Sequence, residues 1–209
     1  MNREKKGSFI VIEGGDGAGK DTQIGLLKKD FPQFVYTREP GGTSLGKTLR
    51  GMVLHETHGS LPLLTEAFLF LADRAQHAAE VIEPALKAGK VVVSNRSWVS
   101  MMSYQVYGRQ QFELKPIIEA SIKEIFRNTP MSLVVILDLE PAVGLERQRQ
   151  QKTNFDVMEN MDLAARTRIR DGFLEIAKTL PQAKVIDASR SVEEVYAGVK
   201  AAVERATSQ

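Results

Sequence analysis

An apolar run that breaks abruptly into glycines and then lysine is the strongest constraint on this chain: Phe9-Ile-Val-Ile-Glu13-Gly14-Gly15-Asp16-Gly17-Ala18-Gly19-Lys20-Asp21-Thr22. Residues 22–30 continue as a helix-compatible segment. Strand, glycine-rich loop and helix, in that order, form a cradle for phosphate. Gly14 and Gly19 permit φ > 0, which turns loop N–H groups toward an anion. The helix that follows adds its positive N-terminal end. Lys20 supplies a charge able to reach β- and γ-phosphates, so the G-x-x-x-x-G-K spacing implies a bound nucleoside triphosphate. The position after the lysine, where a hydroxyl is expected, is Asp21.

Apolar runs at 34–37, 90–94, 133–138 and 183–187 add four predicted strands. Helical patterns fill 44–55, 65–88, 100–107, 116–128, 141–151, 162–180 and 192–206. The long pattern at 65–88 carries Leu69, Ala72, Gln76 and Ala79 at helical spacing, and Gly89 stops it. The 90–94 run is continuously apolar up to Ser94, as in a strand covered on both faces. Strands alternating with helices predict an α/β fold with a five-stranded parallel sheet flanked by helices. Right-handed crossovers then gather the loops after the first three strands at the sheet's carboxyl edge.

Composition narrows the partners. The 209 residues suit a single domain spanning 1–209. A formal charge of +2 gives no electrostatic footprint for nucleic acid or an anionic membrane. Zero cysteines exclude disulfides and thiolate metal sites and fit a cytoplasmic protein. The polar start, Met1 to Ser8, reads as neither a signal peptide nor an anchor, and no apolar run reaches membrane-spanning length.

Thr37-Arg38-Glu39-Pro40-Gly41-Gly42-Thr43, the helix with Phe70 and Arg74, Asn95-Arg96, and Ser103-Tyr104-Gln105 follow the glycine loop in sequence. In order and spacing these segments resemble the thymidylate kinase family over nearly the whole chain. The resemblance implies a P-loop fold with a short mobile lid over about 148–161, use of ATP and Mg²⁺, and a homodimer. It implies γ-phosphoryl transfer from ATP to dTMP, giving dTDP and ADP. It gives the stretch from Gly14 through Gly15, Asp16, Gly17, Ala18, Gly19, Lys20 and Asp21 to Thr22 to ATP.

Arg38 and Arg96 each follow a predicted strand, and clustered arginine forks suit phosphate. Phe70 and Arg74 lie four apart on one helix face. From spacing alone that pair reads as a core ring and a solvated charge. The resemblance instead makes Phe70 the thymine-stacking ring and Arg74 the partner of a base carbonyl. It adds Glu39 to the acceptor side, sets Tyr104 and Gln105 against the deoxyribose and base, and puts Asp16 near the sugar and acceptor phosphate. Lys20, Arg96 and Asp16 are its catalytic candidates; Arg149, or in its place Lys152, is the candidate substitute for a lid arginine, with Arg147 as a further charge.

Three positions depart from the family pattern. Asp21 replaces the P-loop hydroxyl, Asn95 replaces an aspartate, and Val157 stands where many bacterial members carry a lid arginine. Gly17 does not supply an arginine either. A carboxylate beside phosphates needs a cation between them, so Asp21 is the candidate Mg²⁺ ligand, exchanged for the charge absent at Asn95. A kinase with altered base choice, and a nucleotide-binding protein with weak or lost catalysis, remain open alternatives at this stage.

Overall fold

The computed structural model describes residues 7–54, 61–151 and 161–208. The central strand is β1 (Phe9–Gly14), buried at every position. Its side chains alternate: Phe9 and Val11 pack to one side, Ile10 and Ile12 to the other. In chain order there follow α1 (Lys20–Asp30), β2 (Val35–Arg38), α2 (Ser44–Leu54), α3 (Leu63–His77) and α4 (Glu83–Lys87). Next come β3 (Val92–Asn95), α5 (Trp98–Met101), α6 (Lys115–Ile125) and β4 (Met131–Asp138). The last elements are α7 (Pro141–Gln151), α8 (Leu163–Thr179), β5 (Ala183–Asp187) and α9 (Val192–Thr207).

All five strands run parallel in the order β2–β3–β1–β4–β5, as the alternating pattern predicts. One face is covered by α1 and α9, whose Ile24, Leu27, Val195, Val199 and Val203 meet Val135 and Leu137 of β4. The other face takes Phe70 and Leu71 of α3, Ile118 of α6, and Ile169 and Phe173 of α8 against Val134 and Ile136. Burial on both faces explains why the inner strands read as unbroken apolar runs.

Two helices differ from the sequence pattern in an informative way. The 65–88 segment is helical almost throughout, but Ala78–Ile82 widens into a π-turn. Pro84 has no N–H for the carbonyl four residues back and would clash with it, and the Glu83 N–H donates five residues back, to Ala78 O. Past α5, Met102–Gly108 is also π-wound. Gly89 follows α4 at φ 70°, the predicted stop. Strand β3 runs to Asn95, and the ladder sets Asn95 beside Ile12 of β1 and Arg38 of β2. That register brings the three loop exits together.

Candidate active site

The glycine loop turns as its sequence demands. Gly14 (φ 137°) and Gly19 (φ 90°) hold conformations that side-chain-bearing residues rarely adopt. The Lys20 ammonium donates to the carbonyls of Gly14 (2.9 Å) and Gly15 (2.7 Å), folded against the loop that carries it. Burial first, then the neighbouring Arg96, pulls the Lys20 pKa down to about 7. Asp16, Gly17, Gly19, Lys20, Asp21 and Thr22 line a cavity of about 430 Å³ at the carboxyl edge of the sheet. Gly14, Gly15 and Ala18, expected to share in this cradle, do not line the cavity: Gly14 and Gly15 offer their carbonyls to Lys20, and Ala18 lies in the core.

Arg96 is the hub of this edge. It follows β3 at φ 70°, a conformation costing about 1–3 kcal/mol that concentrates at functional sites. Its guanidinium donates to Asp16 in a very short contact, to Ser100 Oγ (2.9 Å), to Tyr104 Oη (3.2 Å) and to Gly14 O (3.3 Å). It also lies over the Tyr104 ring, 5.1 Å from the centroid. Burial opposes the charge on Asp16, but Arg96 and then Lys20 outweigh it and hold the carboxyl below its usual range. Burial likewise pushes the Tyr104 hydroxyl up, against the pull of Arg96.

Glu13, fully buried at the end of β1, fixes the Arg96 turn from below. It accepts from Ser97 N (2.7 Å), Ser100 N (3.2 Å) and Ser100 Oγ (2.5 Å). Burial drives its pKa up, while those donors and Arg96 draw it down in part.

Arg38, Glu39, Phe70, Arg74, Tyr104 and Gln105 line the same cavity as the glycine loop. Phe70 is both wall and core: its ring belongs to the packed cluster under the cavity and lies 5.7 Å below the Arg74 guanidinium. Arg74 is buried rather than solvated, with Nη2 on Ser97 O (3.0 Å) and Nη1 on Phe70 O (3.1 Å). Gln105 donates to Glu66 (3.1 Å), which also receives Arg109 (2.8 Å).

Asp21 and Asn95 meet directly. Asn95 Nδ2 donates to Asp21 Oδ1 at 2.9 Å, at the start of α1 and the end of β3. Among the described residues no group of three or more acidic, histidine or cysteine side chains could hold a metal. Mg²⁺ asks for less, one or two carboxylates completed by substrate phosphates and water. The exposed Asp21 carboxylate, on the cavity wall next to Lys20, meets that requirement.

Arg149 stands apart: it is exposed on α7 and is not part of the cavity wall. Lys152 and Val157, with most of the lid expected at 148–161, fall outside the described residues. Gln148 of α7, the first residue of the expected lid, lines the cavity, and so does Arg50 of α2, which donates to Pro40 O (3.1 Å). Arg50 sends no signal in the sequence, since a charged residue on a helix reads as solvated. Glu13 did send one, an acid inside an otherwise apolar strand.

The family model for thymidylate kinase matches residues 12–199. The chain belongs to the thymidylate kinase family. A thymidylate kinase of Carboxydothermus hydrogenoformans is 38% identical over 204 residues, covering 95% of this chain and 98% of that protein. One of Chlamydia abortus is 42% identical over 195 residues, 89% and 90% of the two chains. The crystal structure of thymidylate kinase from Ehrlichia chaffeensis superposes with a TM-score of 0.74 at 28% identity, over 95% and 99% of the two chains.

Proposed function

We propose that this cavity holds ATP and dTMP end to end and transfers the γ-phosphoryl group, giving ADP and dTDP. The observation that carries the reading is continuity: the phosphate loop and the residues assigned to the acceptor line one cavity, with Arg96 between them. A dTMP phosphate oxygen attacks the γ-phosphorus as the bond to the bridging oxygen of ADP breaks. No covalent enzyme intermediate is needed, and catalysis consists of alignment and charge neutralisation.

In this reading the glycine loop wraps the ATP phosphates and Lys20 leaves the loop carbonyls for them. Arg96 and Arg38 face the transferring and acceptor phosphates. Asp16 keeps Arg96 aimed, and Tyr104 and Gln105 wall the sugar and base. Phe70 stacks on thymine beside Arg74. Mg²⁺, when bound, supplies further neutralisation of the phosphate oxygens, and Asp21 is the residue that would hold it. Arg149 and the 148–161 segment belong to the ATP side.

The chain acts as one kinase domain over 1–209, in the cytoplasm, without nucleic acid or membrane; among the described residues no helix is long and apolar enough to cross a membrane. It works as a homodimer. Leu64 and Phe68 lie four apart on one face of α3 and are 49% and 47% exposed, available to a second copy.

The test is ADP release from ATP and Mg²⁺ with dTMP, dUMP, dGMP, CMP and UMP in parallel. Turnover strongest on dTMP supports the reading. Nucleotide binding without turnover on any acceptor would replace it with a catalytically silent one. Sedimentation tests the dimer, which Phe68→Glu should dissociate.

A further inference from the structure

The turn after β2 is clamped against the end of α3 by Asp73, Arg74 and His77. Asp73 Oδ1 accepts from Gly41 N at 2.9 Å. Glu39, 1% exposed, lies between two buried side chains. Its Oε2 is 3.0 Å from Arg74 Nε, a contact that is ionic rather than a well-aligned hydrogen bond. Its Oε1 is 2.9 Å from His77 Nδ1. A carboxylate only accepts, so Nδ1 carries the hydrogen on that side. The other ring nitrogen, Nε2, lies 2.6 Å from Thr37 Oγ1. The imidazole is wholly buried, and Gly42 admits it: a Cβ there would lie 2.6 Å from His77 Cδ2.

We propose that Glu39 and His77 form a positioning pair for the acceptor end of the cavity, holding Arg74 and the 38–42 turn where a nucleoside monophosphate is received. This rests on the assignment of that end made above. Neither residue needs to touch the reacting atoms; Glu39 acts through Arg74, and His77 through Glu39. A buried carboxylate is tolerated only while both oxygens are compensated. Remove the His77 N–H and Oε1 is left buried with no donor. The carboxylate must then admit water or turn, and Arg74, tied to it, leaves its bonds to Ser97 O and Phe70 O. The phosphate loop shares none of these contacts, so the ATP end is spared.

The experiment compares His77→Phe, which keeps a ring but no donor, with His77→Asn, whose amide can still donate to Glu39. For the whole protein, dTMP affinity is measured by calorimetry and both KM values by steady-state kinetics. His77→Phe should weaken dTMP by about 10–100-fold, the worth of a hydrogen bond to a charged group, with KM for ATP unchanged. His77→Asn should recover most of that loss. A folded His77→Phe variant with dTMP affinity within about twofold of the parent overturns the proposal, as does equal weakening of ATP and dTMP. Should His77→Phe not fold, Thr37→Val carries the test: it removes only the hydroxyl at Nε2 and should weaken dTMP alone by several-fold, and unchanged affinity overturns the proposal. A parent protein that binds dTMP without turning it over would sink the kinase reading and leave this comparison intact.

Discussion

Asn95 Nδ2 and Asp21 Oδ1 are joined at 2.9 Å, across the gap between the end of β3 and the start of α1. The contact gives a physical reason for two unusual residues to occur together. An acid at both positions would set two carboxylates against each other beside phosphates, and an acid at neither would leave the cation with no protein charge. One carboxylate, held by one amide, is the workable arrangement. Asp21→Thr and Asn95→Asp should each lower Mg²⁺-dependent turnover about 10–100-fold, the usual scale for changes around a metal. Together they should restore it. The binding of Mn²⁺ to the ADP complex, followed by electron paramagnetic resonance, should fall and recover in the same pattern. A double variant worse than either single one ends the exchange idea.

Lys20 offers a second test, through protons. With its pKa near 7, the side chain is mostly neutral at pH 8 before nucleotide arrives. Phosphates favour the ammonium and raise that pKa, so binding at pH 8 must take up a proton, approaching one per site. At pH 6 Lys20 is already charged and contributes no uptake. Calorimetry of ADP binding at pH 8 in buffers of different ionisation enthalpy measures the uptake directly. Lys20→Met should abolish it, and buffer-independent heats in the parent would refute the assignment.

The parts of this site legible in sequence are those where local chemistry is stringent. The glycine loop, the five apolar strands and the arginines at strand ends each need a residue type that few other environments need. Their convergence followed from right-handed crossovers between parallel strands. What stayed hidden depends on partners distant in the chain. His77 looks like any helix residue until Glu39 and Thr37 are folded against it. Arg74, read from spacing as a solvated charge, is buried because three backbone and side-chain groups from other segments meet it. Glu66 gains its meaning only from Gln105 and Arg109. The π-turn before Pro84 was legible in principle, since a proline inside a helical pattern has to be accommodated.

Arg96 makes a third prediction. It bonds Asp16, Ser100, Tyr104 and Gly14 at once, which a planar fork can do and an ammonium cannot. Arg96→Lys keeps the charge but should lower kcat about 10²–10³-fold, the effect of losing one well-aimed donor at a developing charge. KM for ATP should change little. Asp16→Asn keeps the shape of the partner but removes its charge, and should lower kcat less than Arg96→Lys. Single-turnover kinetics on dTMP separates the chemical step from product release. Parent-like rates in Arg96→Lys would remove Arg96 from the catalytic set.

The start of α2 tests the link between packing and the acceptor end. Gly46 lies so near α3 that a Cβ would come within 2.4 Å of Asp73 Oδ1 and 3.0 Å of Thr43 Oγ1. Its own N–H donates to that Thr43 hydroxyl at 2.9 Å. Gly46→Ala therefore pushes Asp73 off Gly41 N, or α2 off α3. Overpacking of this kind costs about 1–3 kcal/mol, which urea melts resolve. Because Asp73 holds the same turn that carries Arg38 and Glu39, dTMP affinity should fall alongside stability, while ADP affinity stays put. Asp73→Ala in the Gly46→Ala background returns the space but not the bond to Gly41. It should recover stability in part without recovering dTMP affinity. If both recover together, the turn is held by packing against α2, and the hydrogen bond from Gly41 is incidental.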